Sequence, residues 1–496
     1  MSAVAEKHPK GLYVLFATEM WERFNYYGMR AILVLFLVKA MAFNQNDASQ
    51  VYGSYTGLIY LTPLLGGYIA DRYWGNKRSI IAGGLVMAIG EFVLFFCGHF
   101  YDNAALAMPL FYTGLGCMIA GNGFFKPNIS SMVGQLYKKG DSKIDAAYTI
   151  FYMGINLGSF IATLLCGWLG ENYGWGYGFG AAGIGMVLGL ITFIYGQKYL
   201  MGKAEPKNPE VLKKKVLAGI SVEWLIYILS IASLFVIAQM VQRHTVVDWM
   251  LRITGAIALL MIVFYSIKEE KVIRERLLAL TVLIIFSVVF WALFEQAYTS
   301  MNLYADRVLD REFFGWTIPG PWFLSLNALF IILFAPLVAA LWVKLGKYNP
   351  NTPVKFAFAI ILVGLGFGML VLGANVTPDG AKIAMIWLVL AYFLHTMGEL
   401  CLSPVGLSSV TKLAPQKIAG FMMGVWFLAT ASSEFIAVVL ANLAKIDTKG
   451  GEVTDISVAL ASYTDLFSKL FWVGLIFGGI LLVLSPLVKK LMNGIK

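Results

Sequence analysis

The chain has little charge for its size: of 496 residues only 13% are Asp, Glu, Lys or Arg, where a soluble domain carries roughly a quarter. Cysteine and histidine are sparse too. Cys97, Cys117, Cys166 and Cys401 lie in apolar stretches without metal-type spacing and read as small buried thiols. His8, His99, His244 and His395 are scattered, so a metal centre has no support. The sequence offers no Ser–His–Asp set and no nucleotide loop; glycine runs such as GFGAAGIG lie inside an apolar stretch, which argues against an enzyme and calls for no cofactor. No basic patch carries interleaved aromatics, so the formal net charge of +10 does not point to nucleic acid. The N-terminus MSAVAEKHPKG lacks an apolar core before a cleavage site and reads as a cytoplasmic tail, not a signal peptide.

What is present is apolar. Hydrophobic residues make up 59% of the chain and the mean hydropathy is +0.74, values of a polytopic membrane protein. Runs of about 18–25 residues, long enough to span ~30 Å of hydrocarbon, recur throughout. They predict about fourteen helices, near 14–41, 50–71, 79–98, 105–134, 145–168, 177–199, 217–241, 247–267, 278–304, 320–344, 354–374, 383–412, 419–444 and 464–491. Turn signals bound several: GENYGWGYG at 170–178, KYNPNTP at 347–353 and TPDGAK at 377–382. Lys and Arg cluster on one set of connections: Arg72, Lys77 and Arg78; Lys138, Lys139 and Lys143; Lys213, Lys214 and Lys215; Lys344 and Lys347; Lys489 and Lys490. The opposite connections, such as NQND at 44–47 and DREF at 310–313, are neutral or acidic, which places both termini in the cytoplasm.

The chain also repeats itself. PLLGGYIADRYWG at 63–75 is echoed by PLVAALWVKLG at 336–346, each closing a helix in a short basic turn. Gly121 and Pro127 are spaced like Gly398 and Pro404, and FYMGINLGSF at 151–160 aligns with WFLATASSEF at 426–435. Three matches in the same order predict two homologous six-helix halves, 1–200 and 276–496, the plan of alternating-access transporters; 201–275 is a linker carrying an extra helix pair.

One predicted helix contradicts its own composition. ATEMWERFNYYGMRAILVLFLV at 17–38 carries Glu19, Glu22, Arg23 and Arg30, a burden that approaches about 10 kcal/mol at bilayer depth. In a helix Glu19, Glu22, Arg23, Tyr26, Tyr27 and Arg30 fall on one stripe, which must face protein or a water-filled cavity; Ala31, Leu33, Leu35 and Leu37 continue it as ordinary apolar surface. Lys126, Glu295 and Glu399 lie at membrane depth in other helices, with Asn156 and Asn327 as neutral polar groups. Acidic points in one place and basic points in another suit a zwitterion with separated amine and carboxylate. Gly and Pro beside Lys126 and Glu399 predict locally broken helices.

Together these motifs resemble the proton-dependent oligopeptide transporter (POT) family of the major facilitator superfamily, in its prokaryotic form. EMWERFNYYG at 19–28 is similar to the family's ExxERFxYYG; GNGFFKPNIS at 121–130, FYMGINLGS at 151–159, FWALFEQ at 290–296 and GELCLSPVGLS at 398–408 resemble its fourth-, fifth-, seventh- and tenth-helix motifs. GYIADRYWGNKR at 67–78 fits the loop motif of the wider superfamily, and the short ANVTPDGAK loop and extra helix pair are prokaryotic traits. Animal members carry a histidine on the second helix where this chain has Gly53, so the titrating groups are expected to be carboxylates. The resemblance implies an all-α symporter that takes up di- and tripeptides with protons through the inner membrane, as a monomer. It implies proton coupling at Glu19, Glu22, Arg23, Lys126 and Glu295, with Lys126 pairing with Glu22 or Glu19 when proton and peptide are absent. The peptide carboxylate is assigned to Arg23, Arg30 and Lys126, the amine to Glu399, Asn156 and Asn327 with Glu295 at the site, and pocket walls to Tyr27, Tyr68, Trp291 and Trp426. Glu434 reads as a packing partner. The alternative is a same-fold transporter of nitrate, an amino-acid conjugate or a drug.

Overall fold

The computed structural model describes residues 8–138, 141, 143–206, 209–217, 219–444, 446, 448–449 and 452–495. Residues 1–7 of the N-terminal tail and Lys139 of the basic connections lie outside them. The described chain is almost all helix: α1 (Lys10–Lys39), α2 (Gln45–Ile69), α3 (Gly75–His99), α4 (Ala104–Gln135), α5 (Ile144–Tyr173), α6 (Trp175–Gly196), α7 (Pro209–Lys213), α8 (Val222–Gln242), α9 (His244–Lys268), α10 (Lys271–Phe294), α11 (Ser300–Arg307), α12 (Ser325–Leu345), α13 (Thr352–Val376), α14 (Met385–Leu413), α15 (Ala419–Ala441) and α16 (Ile456–Leu491). Fourteen of these have 21 residues or more, about 31 Å at 1.5 Å per residue, which matches the hydrocarbon thickness. Among the described residues twelve apolar runs are long enough to cross a membrane, one of them the continuous Gln45–His99; α1, with its charges, is not among the twelve. This is an all-α, multi-pass membrane protein.

The turn signals act as read. Gly174 alone joins α5 to α6, at φ +118°, a backbone that a side chain would strain. Asn351 caps α13 by accepting the Val354 N–H at 3.2 Å, with Pro353 in the first turn. Asp455 caps α16 through the N–H groups of Ser457 and Val458.

The chain divides into two compact units. The first comprises Met1–Leu33 and Leu61–Gln242. In it α3 packs against α4 and α6, and α8 lies on α4. The basic turn after α2 fastens the following linker: Arg78 pairs with Glu223, Lys77 Nζ lies 2.9 Å from Glu205 Oε1, and the Lys77 N–H donates to the Ala204 carbonyl. The second unit comprises Val34–Tyr60 and Arg243–Lys496. Its centre is α13 against α14 and α16, with α10 on α15 and α9 along α15. Within it Lys39 and Arg311 share Asp306 at 2.8 and 3.0 Å, and Arg307 donates to Gln45 at 2.6 Å.

Two expectations fail. Ala31, Leu33, Leu35 and Leu37 are not apolar surface but fully buried, as is the rest of Ala31–Val38; a helix apolar on every side belongs inside. The breaks expected beside Lys126 and Glu399 are absent: α4 runs through Pro127 and α14 through Pro404. Pro127 leaves the Gly123 carbonyl without its helical donor, and that oxygen lies against Gly66, where an added Cβ would sit 2.0 Å away. Only a glycine on α2 admits this approach, and its Cα–H supplies a weak substitute for the lost bond. The interruption falls at Glu295 instead. There α10 gives way to a 3-10 turn, Glu295–Tyr298, and Thr299 at φ −116°, ψ −95° precedes α11.

Candidate functional site

In the first unit the stripe on α1 is buried against protein. Glu19 and Glu22 are fully buried and Arg23 is 4% exposed. Arg23 Nε sits 2.7 Å from Glu19 Oε1 and 3.0 Å from Glu22 Oε2, so one guanidinium serves two carboxylates. Asn122 on α4 donates to Glu22 Oε1 at 3.3 Å, a hydrogen bond between α4 and α1. Lys126, one turn further along α4, lies within electrostatic reach of Glu22, Glu19, Arg23 and Arg30. Between the two arginines stands Tyr26, its ring centroid 5.8 Å from the Arg23 guanidinium and 5.6 Å from that of Arg30. The set holds three formal cations (Arg23, Arg30 and the half-buried Lys126) against two formal anions (Glu19, Glu22), an excess of one positive charge.

Of the remaining predicted residues of this unit, Tyr27 lies within electrostatic reach of Arg23, whereas the bonds of Asn156 and Tyr68 are local. Tyr27 is half-buried and packs beside Phe24, Ala162 and Cys166. Asn156 is buried on α5, where its amide donates to the Tyr152 carbonyl of its own helix at 3.0 Å. Tyr68 is 55% exposed near the end of α2, and its hydroxyl accepts from Arg72 at 3.2 Å.

The buried polar set of the second unit has the opposite sign. Glu399 on α14 and Glu295 at the α10 interruption are both buried and lie within electrostatic reach of each other. Asn327 on α12 donates to Glu399 Oε2 at 2.8 Å and to Thr396 Oγ1 at 3.2 Å. Beside them is a cavity of about 10 Å³ lined by Asn327, Tyr298, Tyr392 and His395, room for about one water. Trp291 packs edge-on against Phe290 and Phe294, and Trp426 is buried against Gly406. Glu434 is fully buried on α15. At Gly53 an added Cβ would lie 2.6 Å from Val438 Cγ2, so a side chain there would press on α15.

Sequence reasoning missed four polar residues. Tyr26 was on the stripe but without a role; Asn122 and Thr396 were hidden one turn before Lys126 and Glu399, a spacing that puts them on the same face. The fourth is Glu91, a lone charge in the apolar run MAIGEFVLFF of α3. It is fully buried, with Asn25 and Cys166 beside it.

Residues 77–456 match the model of the POT family. The chain belongs to the POT family. This POT family member is 39% identical over 494 residues to the uncharacterized transporter YclF of Bacillus subtilis (strain 168), covering 98% of this chain and 96% of that one. It is 32% identical over 495 residues to the dipeptide and tripeptide permease A of Klebsiella pneumoniae (strain 342), covering 99% and 95%. Among solved structures it superimposes on peptide transporter POT, crystallised as a mutant with alafosfalin, with TM-score 0.82 and 35% identity, covering 98% and 96% of the two chains. The family resemblance and the major facilitator fold read from the sequence are thereby borne out.

Proposed function

We propose that this POT family member couples proton influx to uptake of di- and tripeptides by alternating access. The observation that carries the reading is the separation of charge: a buried set with one surplus cation in the first unit and a buried carboxylate pair, Glu295 and Glu399, in the second. Every peptide offers one carboxylate and one ammonium whatever its side chains, so recognition of the two ends permits breadth. Arg23, Arg30 and Lys126 take the carboxylate; Glu399, Glu295, Asn327 and Asn156 take the amine; Tyr27, Tyr68, Trp291 and Trp426 border the side chains. A nitrate carrier needs no buried carboxylates, and that disfavours the anion alternative. The names of relatives, a dipeptide and tripeptide permease and a peptide transporter, support the peptide reading.

Coupling follows from the same residues. Arg23 already spans Glu19 and Glu22, with Lys126 in reach of both carboxylates. A proton on Glu22 removes one anion, raises the positive surplus and frees Lys126 for the peptide carboxylate. One proton moving through about 100 mV supplies about 2.3 kcal/mol, roughly 50-fold accumulation. The protein works without chemistry on its cargo, as a monomer in the inner membrane with both termini cytoplasmic; 1–200 and 276–496 act as the two bundles and 201–275 as the linker with its helix pair.

Competition in proteoliposomes tests the reading. Unlabelled di- and tripeptides are expected to displace a labelled dipeptide and tetrapeptides to fail, and N-acetylation or C-amidation to weaken binding by about 2–5 kcal/mol, since a buried charge is left unpaired. Equal competition by both blocked peptides contradicts it.

A further inference from the structure

The small cavity of the second unit has a wall residue with no part in peptide binding so far. His395 lies on α14 one turn before Glu399, a spacing that puts the two on the same face. It is 1% exposed, and its ring packs against Phe294 and Phe367 at centroid separations of 6.4 and 4.8 Å. Nε2 lies 3.0 Å from the Val363 carbonyl on α13. A carbonyl only accepts, so Nε2 carries the hydrogen, and in the neutral ring Nδ1 is then an acceptor. The Cδ2–Nε2 edge also faces α13 at Gly366, where an added Cβ would sit 2.3 Å from Cδ2 and 2.5 Å from Nε2. Nδ1 is the ring atom opposite that edge. It therefore points away from α13, toward the cavity that the ring lines.

Asn327 presents a second acceptor to the same space. Its Nδ2 donates to Glu399 Oε2 and to Thr396 Oγ1, which uses both amide hydrogens and leaves Oδ1 to accept. Phe294, Ala297 and Leu324 add an apolar wall. Two fixed acceptors next to a carboxylate, around a space of about 10 Å³, call for a donor the size of one water. A primary ammonium group is that size, and it has three N–H bonds to give.

We propose that His395 completes a seat of three acceptors for the peptide ammonium: the Glu399 carboxylate, Asn327 Oδ1 and His395 Nδ1 each take one N–H. His395 is thereby a specificity-determining residue, selecting primary amines over N-alkylated ones. This role presupposes the peptide uptake proposed above and adds to it. A positive charge alone satisfies Glu399, whereas the seat requires all three N–H bonds. N-methylation keeps the charge, removes one N–H and adds a group about as large as the water-sized space itself.

Competition against a labelled dipeptide in proteoliposomes, with alanyl-alanine and its N-methyl and N-acetyl forms, tests this. On the wild type the N-methyl form is expected to compete about tenfold more weakly than the parent. His395→Ala removes the acceptor and opens the space, so the parent is expected to weaken and the N-methyl form to come within about twofold of it. His395→Gln, whose amide nitrogen can still donate to Val363, is expected to keep the wild-type unfolding temperature and to lose most of the discrimination. Equal competition by parent and N-methyl forms on the wild type overturns the proposal, and this comparison needs no variant to fold. An unchanged ratio in either folded variant overturns it as well. Equal competition by the N-acetyl form contradicts the peptide-amine reading itself, so the two failures are told apart.

Discussion

The two polar sets in this protein are built in opposite ways. In the first unit the carboxylates Glu19 and Glu22 are clamped by Arg23 at 2.7 and 3.0 Å, with further cations in reach. In the second, Glu399 is held by a neutral amide, Asn327, at 2.8 Å, with another carboxylate, Glu295, as its charged neighbour. Burial is the same in both places, so the difference lies in how each charge is compensated. An ion-paired carboxylate resists losing its partner; a carboxylate beside an amide and a like charge remains open to an incoming cation. Two kinds of compensation are what a zwitterion with a travelling proton requires.

The comparison can be broken at its strongest point first. Arg23→Ala leaves Glu19 and Glu22 buried without their clamp and is expected to cost about 3–5 kcal/mol of stability, read as a large fall in unfolding temperature. A stable Arg23→Ala protein contradicts the ion-pair description. Asn327→Leu removes only a neutral donor from Glu399, so about 1–3 kcal/mol is expected, together with weaker binding of peptides that have a free amine. A loss as large as that of Arg23→Ala would erase the distinction between the sets. Smallest is Glu91→Gln: a fully buried carboxyl beside the neutral Asn25 side chain gains little from its acidity. Its replacement is expected to leave stability unchanged or raise it by about 1 kcal/mol, with pH-driven uptake intact. Lost uptake in Glu91→Gln would place it among the coupling groups.

Much of this was legible in the sequence because membrane helices obey few rules. Length and apolarity gave the fourteen long helices, and the i, i+3, i+4 spacing gave the charged stripe on α1. What stayed hidden depends on neighbours in space. A proline beside Lys126 reads as a break, yet α4 continues because Gly66 of α2 lets the orphaned carbonyl of Gly123 approach. Nothing local to FWALFEQAY marks Glu295 as the point where α10 ends. Asn122 and Tyr26 gain meaning only once Glu22 and the two arginines are seen around them. Neutral polar residues are common in membrane helices, whereas charges are rare, so the charges other than Glu91 stand out in the sequence and their supports do not.

The central claim is that the buried charges of α1 and α4 form a switch, not a staple. Its most direct test compares Lys126→Ala and Glu22→Gln for thermal stability, for peptide counterflow and for accumulation driven by an imposed pH gradient. Lys126 stands within reach of the Glu19–Arg23–Glu22 cluster, which keeps its own short ion pairs when the lysine is removed. Both variants are expected to stay folded, with pH-driven accumulation reduced to equilibration, and Glu22→Gln is expected to keep counterflow, which needs no net proton movement. A Lys126→Ala protein that still concentrates peptide with the wild-type pH dependence contradicts the account.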